Sequence, residues 1–446
     1  MRANTPPRRP SRRPTSGTRL TTLALLACLP AAQALAGQLL VRAGHLVDVE
    51  TGRVLVAPQI LIEDGRVLQV CRDACPASAE TPRVDWSAFT VVPGLMDMHT
   101  HLADEGQSAD PGAPLKSTPA RDAFIGAKHA ADTLRAGFTT VRDVGAYRSF
   151  ADVALRDAIE AGFVPGPRMF VAGAYITVPG GGGEITGLPA GVTVPEEFRR
   201  GVSRGEADVR KHVDAVIDHG ADWIKVIATG AVLAAGTEPG SPEYSEAEIR
   251  AAVEEAKKRG VSVAAHAHGA EGIKRAVRAG VRSIEHGSLI DDEGIALMKR
   301  HGTWLVADIY DGDYIDTVGR AEGWSEEVLR KNLETTDAQR EGFRKAVKAG
   351  VHIAYGTDAG VYPHGDNARQ FAYMVKYGMT PLQALRSATI DAATLLGKEK
   401  ELGSISPGKF ADLVAVACDP LADIECLRQV RGVIKNGVEV PLPSSR

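Results

Sequence analysis

The stretch VVPGLMDMHTH, residues 91–101, closes a short apolar run on two histidines spaced i, i+2. On a β-strand that spacing turns His99 and His101 to the same side, where both can grip one ion. Seven more short apolar runs follow: FTTVRDV (138–144), RMFVAGAYI (168–176), DWIKVIAT (222–229), VSVAAHA (261–267), RSIEHGS (282–288), TWLVADIY (303–310) and VHIAYGTD (351–358). Helical patterns separate them, such as SEAEIRAAVEEAKKR (245–259), whose Ser245, Glu246 and Glu248 load the first turn with capping and acidic groups. Eight successive βα units predict an α/β fold, a TIM-type (β/α)8 barrel. The alternative, a doubly wound open sheet, wants a Gly-rich phosphate loop after the first strand, and the sequence has none there.

Outward from the barrel, both ends of the chain change style. QLLVRAGHLVD and QILIEDGRVLQV, the latter with an Asp64-Gly65 turn, alternate in the manner of hairpin strands. The pattern returns in ADLVAVA (411–417) and in VRGVIKNGVEV (430–440) with its Asn436-Gly437 turn. The expected organisation is a small β-sandwich domain built from residues 37–90 and 401–446, with the barrel over 91–400. Two segments on the predicted C-terminal rim are candidate lids. One is the Gly/Pro-rich loop from Gly180 to Val194, which also reads as plain flexible surface; the other is DGDYIDTVGRAEGWSEEVLRKN (311–332).

Residues 1–36 read as an export signal: arginines carry all the charge, Leu20 to Pro30 is apolar, and Ala34-Leu35-Ala36 offers a small-x-small cleavage site. A membrane anchor is the competing reading, but the apolar run is well short of the ~20 residues that span a bilayer. A lipoprotein signal ending at Cys28 is a second alternative, weakened by the large Leu26. An exported chain, periplasmic or extracellular, places Cys71, Cys75, Cys418 and Cys426 where disulfides form. Four cysteines allow three connectivities, and the spacings favour the local pairs over a structural zinc site. With 446 residues, 44 % apolar and 24 % charged, the chain is long enough for a large core. A formal charge of −4 without a basic stripe argues against nucleic acid as a partner.

The chemistry sits where a barrel places it. His99 and His101 end the first run, Lys225 lies in the fourth, His266 ends the fifth, His286 the sixth and Asp358 the eighth, all near strand C-termini. A satisfied core pair would account for His99 and His101 but not for the other strand-end ligand types. Lys225 sits in an otherwise apolar strand, where burial lowers an ammonium's pKa, and a neutral amine can take up CO2 to give a carbamate able to bridge two cations. A lysine snorkelling to the rim is the plainer alternative. His268 is read as a substrate or transition-state contact, or as structural support. Arg142 is the best cation for a substrate carboxylate, or else an internal partner of Asp143 or another strand-end acid. His364 is a rim residue that touches substrate or caps a helix; Tyr355 and Tyr175 are weaker substrate contacts.

PGLMDMHTH, IKV with Lys225, HAHG (266–269), EHG (285–287), GTDAG (356–360) and GSISPGKFADLV (403–414) together resemble the amidohydrolase superfamily. Within it the resemblance is to the imidazolonepropionase-related subgroup of Xaa-Pro-type dipeptidases, carboxypeptidases and ochratoxin-hydrolysing amidases, over essentially residues 38–440. It implies a binuclear zinc site, with His99, His101 and Asp358 on one metal, His266 and His286 on the other, and Lys225 carboxylated between them. It further implies that a bridging hydroxide attacks an amide carbonyl while Asp358, the catalytic carboxylate, shuttles the proton. The expected substrate is a small molecule or peptide whose scissile amide joins an acyl or aminoacyl group to a C-terminal amino acid, handled by a homo-oligomer. Hydrolysis of a cyclic amide or lactone is the alternative. One departure stands out: related dipeptidases often carry Gly-Gly-His after the third strand, where this chain has Pro179 and four glycines, which would leave room for a bulky acyl group.

Overall fold

The computed structural model describes residues 37–443, so the export signal and Cys28 lie outside the described residues. Five strands open the chain: β1 (Gln38–Asp48), β2 (Arg53–Val56), β3 (Gln59–Glu63), β4 (Arg66–Cys71) and β5 (Arg83–Pro93). Three close it: β14 (Leu413–Val416), β15 (Val430–Lys435) and β16 (Val438–Glu439). They hydrogen-bond as one eight-stranded sheet in the order β16-β15-β14-β5-β1-β3-β4, with β2 on β1. The two chain ends meet where β14 pairs antiparallel with β5, Val414 opposite Val92. The sandwich expected from sequence is thus a single continuous ladder. The long β1 and β5 run side by side through it, and a register shift between Ala43 and His45 supplies the local bend that alternating patterns cannot reveal. Its apolar face packs Val41, Ile60, Trp86, Val91, Leu413 and Ile434 into one cluster.

Between the ends lie β6 (Leu95–Thr100), β7 (Phe138–Asp143), β8 (Arg168–Val171), β9 (Tyr175–Ile176), β10 (Trp223–Ile227), β11 (Ser262–Gly269), β12 (Ser283–Leu289) and β13 (Trp304–Val306). All their mutual pairings are parallel, in the orders β6-β7-β8 and β9-β10-β11-β12-β13. Helices separate successive runs, and the one predicted over 245–259 forms as Glu246–Lys258, with Ser245 and Glu248 completing a reciprocal capping box. This is the TIM-type barrel, not a doubly wound sheet.

The ladder is not continuous around the ring. The third predicted run breaks into β8 and β9, one half facing each sheet. The eighth run, 351–358, makes single bridges instead of a strand. On one side Leu305 N donates to His352 O at 2.8 Å, and on the other Met98 N donates to Tyr355 O at 2.8 Å, so the run spans the gap between β13 and β6. Gly356 explains how it fits: a Cβ there would lie 2.2 Å from Val306 and 3.0 Å from the Cβ of His99. Residues 37–443 form one compact unit, so sheet and barrel are not separable bodies. Among the described residues no helix is long and apolar enough to cross a membrane. Cys71–Cys75 and Cys418–Cys426 are the disulfides, the local pairing favoured by spacing.

Candidate metal centre

Parallel strands around a barrel present their C-terminal residues at one mouth. Here that mouth opens on a cavity of about 310 Å³ lined by His99, His101, Lys225, His266, His268, His286 and Asp358, together with Tyr175. Arg142, His364 and Tyr355 do not line it.

Two sets of side chains converge on the cavity floor. His99, His101 and Asp358 bring ligand atoms within 4.8 Å of one another, and so do His266, His268 and His286; a third set, His286, Asp308 and Asp358, links them. The histidines are oriented from behind. His99 Nδ1 meets Glu285 Oε2 at 3.0 Å, His101 Nδ1 meets Gly145 O at 2.7 Å, and His286 Nδ1 meets Asp308 Oδ2 at 2.9 Å. Acceptors on Nδ1 place the proton there and turn an Nε2 lone pair forward, the arrangement that protein ligands of a metal adopt. The forward Nε2 atoms of His99 and His101 then face one carboxylate oxygen of Asp358, at 3.3 and 3.1 Å. Lone pairs aimed at a carboxylate at that range call for a positive charge among them, and this donor set fits a divalent ion.

The demand for a positive charge beside Asp358 also shows in the protonation pattern. Burial works against a charge on His101, yet the hydrogen bond and charge of Asp358 outweigh it and hold its pKa up at about 9. Burial also resists ionisation of Asp358, but His99 and His101 pull it well below the usual carboxylate range. His266 and His268 go the other way: burial, then the neighbouring histidines, keep them neutral, with His268 down at about 3. Lys225 is 2 % exposed, and burial lowers it to about 8 despite the nearby Glu285 and Asp358. Two of the converging residues, His286 and Asp358, adopt left-handed backbone at φ 67° and 53°. For non-glycine residues such conformations cost roughly 1–3 kcal/mol each and cluster where function holds them.

Three sequence readings are corrected by placement. Arg142 is fully buried in the barrel interior. Its Nε donates to Met98 O at 2.7 Å, and its two terminal nitrogens to Ser283 Oγ at 3.0 Å and Glu285 Oε1 at 2.8 Å. It is the internal partner of a strand-end acid, Glu285, and does not line the cavity. Tyr355 is buried between Phe138 and Phe371, its hydroxyl donating to Asn367 O at 2.6 Å. His364 packs against His129, ring centroids 4.4 Å apart, and does not line the cavity. His268 faces the cavity with Nδ1 2.7 Å from Ser288 Oγ. The Gly180 loop lines the cavity from Gly182 to Gly187, and Gly182 N donates to Glu243 at 2.9 Å.

Sequence reading passed over Glu285 and Asp308. Glu285 ties His99 to Arg142, and Asp308 ties His286 to Gln339 Nε2, which donates to it at 2.8 Å. Both are strand-end acids, in SIEHGS and LVADIY, so the signal used for Asp358 could have found them.

A TIM-type barrel with strand-end histidine and aspartate clusters able to hold metal ions defines a hydrolase of the amidohydrolase type. The chain belongs to the amidohydrolase family, whose model matches residues 90–440. It is 33 % identical to an ochratoxinase of Aspergillus niger over 358 residues, covering 77 % of this chain and 73 % of that one. An imidazolonepropionase of Symbiobacterium thermophilum is 26 % identical, with 85 % and 90 % covered. A solved Xaa-Pro dipeptidase with bound methionine in its active site superposes with a TM-score of 0.84 at 39 % identity, over 90 % of this chain and 99 % of that one. The protein is a hydrolytic enzyme.

Proposed function

We propose that the chain hydrolyses the amide joining an acyl or aminoacyl group to a C-terminal amino acid, using two zinc ions. The observation that carries this is the pair of ligand sets that meet at one cavity with Asp358 facing both. His99, His101 and Asp358 would hold one ion and His266 and His286 the other, with carboxylated Lys225 shared. Two such ions, when bound, would polarise the scissile carbonyl and lower the pKa of water to near neutrality. The protein's own part is orientation and proton transfer. Glu285 and Asp308 fix His99 and His286, and the second oxygen of Asp358 accepts the water proton and returns it to the leaving amine. A lysine lowered by burial is the form that combines with CO2, so Lys225 is the residue to become the carbamate. The likeness to an ochratoxinase and to a dipeptidase supports an amide bond as the target. The two cysteine pairs support export to an oxidising compartment.

With Arg142 committed to Glu285, neutral donors such as the Tyr147 hydroxyl are left for a substrate carboxylate. That observation keeps a second reading alive, hydrolysis of a cyclic amide or lactone that presents none. The deciding experiment is turnover of dipeptide and N-acyl amino acid libraries by zinc-loaded enzyme, each with its carboxyl-amidated counterpart. Cleavage that depends on the free carboxylate supports the first reading. Cleavage of lactones or cyclic amides without any of the linear substrates overturns it.

A further inference from the structure

The motif that opens the barrel contains an acid that the metal centre leaves unused. Asp97 lies on β6 two residues before His99, so it points to the same side of the strand, but it is fully buried and does not line the cavity. Four donors converge on its carboxylate, and none belongs to a charged side chain. Oδ1 accepts from His99 N at 3.2 Å and from Thr357 N at 3.1 Å; Oδ2 accepts from Thr357 Oγ1 at 2.6 Å and from Asn367 Nδ2 at 2.8 Å. Thr357 and Asn367 are as fully buried as Asp97. A buried polar network of this kind is retained when every member is satisfied, and it then holds its parts in one arrangement.

What it holds is the backbone around Asp358. Thr357 gives Asp97 both its N–H and its hydroxyl, and the same hydroxyl oxygen accepts from Ala359 N at 3.1 Å. The residues on either side of Asp358 are thereby tied to one acid, while Asp358 N donates to His99 O at 2.9 Å. Asp358 itself has left-handed backbone, φ 53°, which a non-glycine residue keeps only where its surroundings over-determine it.

We propose that Asp97 is a positioning residue for the proton-shuttling carboxylate, acting through Thr357 to fix the backbone of Asp358 so that one carboxylate oxygen faces His99 and His101 and the other is left to take the proton. This rests on the reading of Asp358 as the shuttle. Asp97 itself touches neither ion nor substrate and takes no part in bond making.

The link is tested at Thr357, which lies between the two acids. Thr357→Val keeps the shape and removes the hydroxyl; Thr357→Ser keeps the hydroxyl. The assay uses zinc-loaded enzyme with Ala-Leu, or with a lactone if only ring substrates are cleaved, since the proton step is common to both. Partners that orient a metal site from behind are worth about 10–100-fold in affinity or activity, so Thr357→Val is expected to lower kcat at least about tenfold. KM and zinc content should stay within about twofold, the acidic limb of the pH profile should move, and amide exchange at residues 357–359 should quicken; Thr357→Ser should restore all of these. Asp97→Asn turns an NH2 toward two of the four donors and should give a similar loss. Because the two residues act in one chain, adding Thr357→Val to Asp97→Asn should cost less than about twofold more. A full further tenfold loss in the double variant overturns the proposal, as does normal kcat in Thr357→Val or a kcat that falls only in step with zinc content. The Val and Ser comparison decides the matter even if Asp97→Asn does not fold. Near-normal kcat in Asp358→Asn would remove the shuttle reading and this proposal with it, whereas a large loss there beside normal kcat in Thr357→Val removes the proposal alone.

Discussion

At the scale of single residues, Asp358 is asked both to hold an ion and to move a proton, and one substitution separates the two. Asp358→Asn retains the shape and one ligand oxygen but cannot accept the proton, and general acid–base help is worth ~10²–10⁴ in rate. Metal content is expected to fall modestly while kcat drops at least about a hundredfold and the acidic limb of the pH profile changes. Retention of both ions with near-normal kcat would pass the proton to another group, His268 being next. Lys225→Ala should lose metal and activity together, and short carboxylic acids that imitate a carbamate should restore part of both. Normal turnover by that variant would reduce Lys225 to a structural residue. These positions were readable because the i, i+2 spacing of His99 and His101 and the strand-end places of His266, His286 and Asp358 are local features of each βα unit. Arg142 was not, because its choice between a substrate and an internal acid was settled by Glu285 on β12, a contact made only once the ring assembles.

At the scale of elements, Arg142 and Glu285 clamp β7 to β12 across the barrel interior, and Glu285 carries His99 on its other oxygen. Removing one partner of a buried ion pair leaves the other uncompensated, at roughly 3–5 kcal/mol. Arg142→Met is therefore expected to lower unfolding stability by about that much in urea titrations, and to weaken metal binding through the loosened His99. Because Arg142 lies away from the cavity, KM should change equally for substrates with free and with amidated carboxyl groups. A loss confined to the free acids would return Arg142 to the substrate site. Most of the strands and the helix over Glu246–Lys258 follow from apolar periodicity and capping residues. The eighth run was read as a strand from VHIAYGTD but holds only single bridges, because left-handed backbone at Asp358 and the tight approach at Gly356 shape it around His99. Those constraints come from its neighbours and leave no periodic trace.

At the scale of the whole molecule, the metal centre draws ligands from runs scattered around the ring, so an ion bound there ties the ring together. Purified protein is expected to hold close to two zinc ions per chain, and a chelator should abolish activity and lower Tm. A ligand at a hundred times its dissociation constant stabilises the folded state by about 2.7 kcal/mol, which calorimetry with and without chelator would register. A single tightly held ion in fully active enzyme would overturn the shared-lysine arrangement.

The junction of the two chain ends governs when this enzyme can come into being. The strand bearing His99 follows β5 across Gly94, whose N–H donates to Asp412 O at 2.8 Å, and β5 has β14 as its neighbour. A ribosome delivers β14 only after every ligand-bearing run has been made. A nascent chain arrested before residue 413 would then possess all the metal-binding side chains but not the strand that seats the first of them. Chains ending before residue 413 are therefore expected to lack hydrolytic activity even when supplied with zinc, which an assay of truncated variants checks.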